Sequence, residues 1–171
     1  MWPMSTYHHG DLPAALLKAA GKALEQKGRA SLSLRDAARR AGVSHNAPYR
    51  HFPDRGALLA ALAAEGFAML ADRLRGRRGP ELGMAYVQFA LEHPQRFRLM
   101  FAGVSGDGAE QAYRMVRDAF KELPRADVAA AAAWSLMHGL AQLLLEGHLP
   151  EGSAREVFGA MRLAVAPQRS S

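Results

Sequence analysis

His45, Asn46, Tyr49 and Arg50 are four hydrogen-bonding side chains set within six residues, inside the stretch SLRDAARRAGVSHNAPYRHFPDRG at 33–56. An arginine fork matches O6 and N7 of guanine, and an asparagine matches N6 and N7 of adenine, so residues of these types on one face can read base edges. A short polar face is more often simply solvated. The surrounding spacing favours the first reading. Ser33 is placed to cap a helix, with Asp36 three positions on as the acidic half of a capping box. Leu34, Ala37, Ala38 and Ala41 then recur at i, i+3, i+4 and i+7, while Arg35, Arg39 and Arg40 fall off that stripe. Gly42 can close the helix with a positive φ, Val43 plugs the turn, and Ser44 is placed to cap a second helix from His45 to Phe52. In that helix Pro48 and Phe52 share an inward face, which leaves the four polar residues outside. A link of about three residues is the length at which a helix-turn-helix fixes one helix across another.

These residues resemble the TetR family of bacterial one-component regulators, most closely at AGVSHNAPYRHFPDRGALL, and the likeness runs from about Tyr7 to Leu62 through YHHGDL at 7–12, the Gly42, Val43, Ser44 turn, and Tyr49, His51 and Phe52. The resemblance implies that Tyr49 and His51 contact backbone phosphate. Arg55, in place of the more usual lysine, would do the same. His45, Asn46, Ala47 and Arg50 would face bases, Ser44 would belong to the same contact set, and Arg35 would approach the groove from the preceding helix. Pro48 departs from the family pattern, where an aliphatic residue is common. It removes an N–H that would bond to Ser44 and restrains Ala47.

The elements that must position this stretch follow from composition. With 49% hydrophobic and 22% charged residues, 171 residues suffice for a real core in one domain or two small ones. Charge is uneven: residues 1–79 hold 13 Lys or Arg against 6 Asp or Glu, and residues 80–171 hold 9 against 10. A basic half joined to a near-neutral half suggests an electrostatic footprint for nucleic acid on one module. The absence of cysteine excludes disulfides and thiolate chemistry. With neither an evident membrane span nor a leader-like start, the expected location is cytoplasmic, with no membrane partner.

Three regions are expected along the chain: a flexible arm at 1–10, a DNA-binding domain at 11–78 that includes a linking helix, and a regulatory and dimerisation domain at 79–171. His8 and His9 lack a nearby third ligand and are read as solvated rather than as a metal site. Asp11 is placed to cap a first helix whose stripe is Leu12, Ala15, Leu16, Ala19, Ala20, Ala23 and Leu24, closing at Gly28. A long helix after Pro53 and Asp54 continues the core through Leu58, Leu59, Leu62, Phe67, Leu70 and Leu74. Beyond Gly79 and Pro80 the pattern is helical throughout, near 81–92, 94–101, 108–122, 125–147 and 154–165, so the whole chain is expected to be all-α. AGVSGDG at 102–108 fits neither a nucleophile elbow nor a phosphate loop, and is read as a connection capped by Asp107.

Residues 126–149 are apolar around most of a helix and so need covering on several sides, with close approach allowed by the alanines at 129–133. The next helix offers Val157, Phe158, Met161 and Val165. Two helices from each of two subunits would make a four-helix homodimer interface; the alternative is the plain core of a monomer. YVQFALEHPQRFRLMF at 86–101, with Trp134, His138 and Gly139, resembles a TetR subgroup marked by a Trp and a His-Gly pair. Trp134 and His138 share a helical face; with Tyr86, Phe97, Met100 and Met115 they form either a pocket for a small apolar effector or plain core with His138 internally bonded. No acid–base pair, metal cluster or activated nucleophile stands out, so neither an enzyme nor a cofactor is expected. The expected function is a ligand-responsive repressor that binds a near-palindromic double-stranded operator as a dimer. The alternative is a nonspecific or architectural nucleic-acid binder.

Overall fold

The computed structural model describes residues 12–103 and 108–165, the side chains of the last five excepted, and every element among them is helical. The flexible arm, the histidine pair and Asp11 lie outside the described residues, as do Asp107 and the side chains of Met161 and Val165. The helices are α1 (Leu12–Lys27), α2 (Leu34–Ala41), α3 (Arg55–Leu74), α4 (Gly79–Glu92), α5 (Pro94–Met100), α6 (Gly108–Ala119), α7 (Ala126–Leu145) and α8 (Ser153–Val165). Single 3-10 turns occupy Arg29–Ser31 and Ala47–Arg50. The chain divides into two compact units, one through Leu62 and one from Ala63, so the division falls inside α3.

In the first unit α1 buries Leu16, Ala20, Ala23 and Leu24 against α2, which answers with Leu34, Ala37 and Ala38. Small residues dominate both stripes, which lets the two backbones approach closely. The α1 terminus is closed by Gly28 at φ 73°, and by the Ser31 hydroxyl, which donates to the carbonyls of Lys27 at 2.8 Å and Gly28 at 3.2 Å. The first of these serves a carbonyl that α1 leaves unpaired. Ser33 caps α2 as its position suggests, its Oγ accepting from the Asp36 N–H at 3.1 Å, and Gly42 ends α2 in the left-handed region at φ 70°. The other half of the capping box does not form. The Asp36 carboxylate takes Arg39 at 2.5 Å and Arg40 at 2.7 Å instead. The Asp54 carboxylate caps α3 by accepting from the Ala57 N–H at 2.8 Å.

The second unit packs α4 against α7 and α8, and α6 against α7, around Phe67, Tyr86, Phe89, Phe97 and Phe158. Two glycines fix how closely helices meet. A Cβ at Gly83 would overlap the Phe158 ring, so α8 seats on α4 through that notch, and a Cβ at Gly66 would lie 2.7 Å from Met100 Sδ. Arg96 is buried, with 7% of its surface exposed, and its Nη1 donates to Glu65 at 2.6 Å. Arg73 forks onto both carboxylate oxygens of Glu92 at 2.5 and 2.7 Å, which ties the end of α3 to the end of α4.

Helix α7 is long and apolar enough to cross a membrane by length and composition, with a mean hydropathy of 1.5, a property the sequence reading had not assigned to it. One of its faces is used inside the unit, where Ala130, Met137, Leu140 and Ala141 are buried. The opposite face is bare: Val128, Leu136 and Leu143 expose 52%, 37% and 41% of their surface. Ala131, Ala132 and Gly139 lie exposed beside them.

Candidate nucleic-acid interface

The second helix expected at 45–52 is reduced to the four-residue 3-10 turn Ala47–Arg50. Pro48 explains the difference. Having no N–H, it cannot close an α-helical bond to Ser44, whose carbonyl accepts from Ala47 at 3.0 Å instead. The N–H groups of His51 and Phe52 then converge on the Pro48 carbonyl at 3.0 and 2.9 Å. The Ser44 hydroxyl does not serve as the cap. Asn46 occupies that place, and its side chain bonds no backbone group of the turn.

The facing of the turn follows the sequence pattern. Pro48 and Phe52 are buried, while Ser44, His45, Asn46, Tyr49, Arg50 and His51 are exposed and Ala47 is half-buried. Tyr49 leaves 48% of its surface open, unusual for a large aromatic. On α2, Arg39 and Arg40 are drawn onto Asp36, and Arg40 also reaches Gln26 Oε1 at 3.1 Å. Those two guanidinium groups hold the Asp36 carboxyl below the usual carboxylate range. Arg35 stays exposed and forms no ion pair among the described residues. Arg55 is also exposed, but its guanidinium turns back onto the protein, Nε to the Leu32 carbonyl at 2.9 Å and Nη2 to the Arg29 carbonyl at 2.6 Å. The result is a rim of uncommitted donors and acceptors on a well-packed base, which is what an external hydrogen-bonding partner requires.

Residues 16–62 match the family described as bacterial regulatory proteins, tetR family, and residues 80–165 match the tetracyclin repressor-like C-terminal domain. The chain belongs to the TetR family. A solved protein of unknown function from Rhodococcus sp. RHA1 is 34% identical, with 92% of this chain and 95% of that one covered at a TM-score of 0.78. TetR from Acinetobacter baumannii AYE is 22% identical, with 88% and 86% covered and a TM-score of 0.58. The multidrug binding protein EbrR, solved with imidazole, is 22% identical, with 94% and 96% covered and a TM-score of 0.66. At that identity the last two show the fold alone. As a TetR family member, the chain is a DNA-binding regulator with an N-terminal helix-turn-helix unit.

In the second unit of this TetR family chain, the side chains singled out on α4, α5 and α7 come together. Tyr86 Oη lies 3.0 Å from His138 Nδ1, and the Tyr86 ring packs edge-on against Phe97 at 5.8 Å and Trp134 at 5.5 Å. Met100 is buried and Met115 half-buried in the same core. Burial holds the Tyr86 hydroxyl far above the normal phenol range and the His138 imidazole below its normal value, so both are neutral at neutral pH. Two residues missed in the sequence complete the cluster: Phe101, whose ring centroid is 4.5 Å from that of His138, and Tyr113, 5.6 Å from Trp134. Phe101 follows Phe97 by one helical turn, a spacing that could have drawn it in. Tyr113 had no such signal.

Proposed function

We propose that this regulator is a homodimeric, ligand-responsive repressor that reads a near-palindromic operator. The observation that carries the reading is the outward display of His45, Asn46, Tyr49 and Arg50 on a turn whose apolar partners are buried. Asn46 and Arg50 are the side chains suited to adenine and guanine. His45 and Ala47 flank the same bases, Ser44, Tyr49 and His51 contact the sugar–phosphate backbone, and Arg35 reaches the groove edge from α2.

Dimerisation is supported by the bare face of α7. Val128, Leu136 and Leu143 expose apolar surface along one stripe, and Gly139 within it has nothing within 4 Å of where a Cβ would stand. Its smallness serves no contact among the described residues, which fits a second copy packed there. In α8, Gly159 is equally open, while Phe158 is already used against α4. Two copies would place their turns in successive major grooves, about 34–36 Å apart.

A small apolar effector fits the aromatic character of the cluster formed by Tyr86, Phe97, Met100, Met115, Trp134 and His138, and the Trp134, His138, Gly139 pattern fits the corresponding TetR subgroup. The effector would act by binding two dimer geometries unequally, with operator affinity falling by that difference. The decisive experiment is selection of operator sequences from random duplexes at fixed salt. A specific repressor enriches one inverted repeat by on the order of 10³-fold or more over bulk DNA. Uniform recovery of all sequences would establish the nonspecific binder instead.

A further inference from the structure

We propose that Arg55 is a positioning residue, a clamp that fastens the first turn of α3 to the connection between α1 and α2, and that it does not contact phosphate. The proposal uses the DNA-binding reading only for its consequence at the interface; the clamp itself is a property of the free protein.

Arg55 is the first residue of α3, immediately after the Asp54 cap. A cation there faces the positive end of the helix dipole, an unfavourable place unless the side chain has business elsewhere. It has: the guanidinium bonds Leu32 O through Nε at 2.9 Å and Arg29 O through Nη2 at 2.6 Å. These acceptors lie 23 and 26 residues earlier in the chain. They bracket the 3-10 turn Arg29–Ser31, whose own closing bond, Leu32 N to Arg29 O, is long at 3.3 Å. Leu32 is buried, with 2% of its surface exposed, and Ser33 beside it caps α2. Arg55 therefore sets where α2 begins relative to the start of α3, and the reading turn is strung between those two helices.

The fork explains why an arginine suits this position. Two carbonyls are met at once by two nitrogens of a rigid plane, whereas a lysine ammonium is a point charge on a flexible stem. The two hydrogen bonds leave Nη1 as the one guanidinium nitrogen without a partner among the described residues.

The full-length protein with Arg55→Lys, and separately with Arg55→Gln, separates the two roles. Amide hydrogen exchange of the DNA-free protein reports the clamp, and binding to a generic DNA duplex across a salt series reports phosphate contact. Exchange at Leu32 should rise about fivefold or more in both variants, the equivalent of losing about one net hydrogen bond. The slope of log affinity against log salt should change in Arg55→Gln by less than half of the roughly 0.9 expected for one lost phosphate contact. Exchange as slow in Arg55→Lys as in the parent overturns the clamp, and so does a slope loss of the full 0.9 in Arg55→Gln. If the parent protein fails to bind any duplex, the regulator reading falls, and the exchange measurement alone still decides the clamp.

Discussion

The reading turn and the aromatic cluster treat their polar groups in opposite ways. Around the turn, Asn46, Tyr49 and Arg50 stand exposed with no side-chain partner among the described residues, while the apolar Pro48 and Phe52 are buried beneath them. Around His138, the polar atoms face inward and satisfy one another, Tyr86 Oη against Nδ1 at 3.0 Å. The difference is instructive because unpaired exposed donors are inexpensive in water and become valuable when a partner arrives, whereas a buried polar pair is costly to break. The first arrangement is ready for a ligand as it stands. The second must exchange an internal bond for an external one, so an effector there has to replace what it disrupts. The bare apolar stripe of α7 is a third case, where exposure itself is unfavourable and covering it is the gain.

The largest expected effect comes from charging that stripe. Leu136→Glu combined with Leu143→Glu should convert a dimer to a monomer in light scattering after size exclusion, with helical content unchanged. Because the two reading turns would no longer be tethered, operator affinity should drop on the order of 10²–10⁴-fold. A double variant that remains dimeric would locate the dimer contact elsewhere, and association of the parent protein with lipid vesicles would assign the stripe to a membrane.

Next in size is the loss of a packed side chain in the second unit. Phe158→Ala empties the notch that Gly83 leaves in α4, and such a truncation costs about 3–5 kcal/mol in denaturant unfolding. The exposed turn should respond differently. Arg50→Ala should leave unfolding unchanged and cost about 1–3 kcal/mol in operator binding, with relaxed choice at one base position in a mobility-shift competition. Equal losses on all sequences would move Arg50 from base to backbone contact.

How far these features could be read from the sequence depends on the range of the interactions behind them. The end of α1, all of α2 and its glycine stop are set by neighbours three or four residues apart, so Ser33, the Leu34, Ala37, Ala38 stripe and Gly42 were legible one by one. The inward facing of Pro48 and Phe52 was legible for the same reason. The helical type of their turn was not, because one missing N–H tips a short segment from α to 3-10 geometry and periodicity over eight residues does not register it. Arg55 illustrates the harder limit. The family resemblance implied a phosphate contact for it, whereas its bonds to backbone carbonyls 23 and 26 residues away had no signal, because carbonyls carry no sequence signature. Likewise Trp134 and His138 were paired by helical spacing, whereas the Tyr86–His138 bond spans 52 residues and Tyr113 joins only through the fold. The exposed side of α7 was hidden because composition shows that a helix is apolar and only packing shows which half is covered.

The smallest expected effect sharpens the contrast at its inner end. The His138 imidazole has a pKa held below its normal value, and burial among Tyr86, Phe97 and Phe101 is the cause. A base with a depressed folded-state value takes up its proton more readily when unfolded, so stability is lost as pH falls. The loss starts near the unfolded value of about 6.5 and is complete once the folded value is passed. Asp36 adds its own decline at lower pH, because its carboxyl is stabilised in ionised form by Arg39 and Arg40 and that contribution disappears as it protonates. The two windows are separable. Replacing His138 with Gln keeps a hydrogen-bonding group near Tyr86 and removes the titration, so its unfolding midpoint should stay flat between about pH 7 and pH 5, where the parent declines. A parent profile as flat as the variant would mean that the imidazole ionises as readily in the folded protein as in the unfolded chain, and that the cluster around it is open to water.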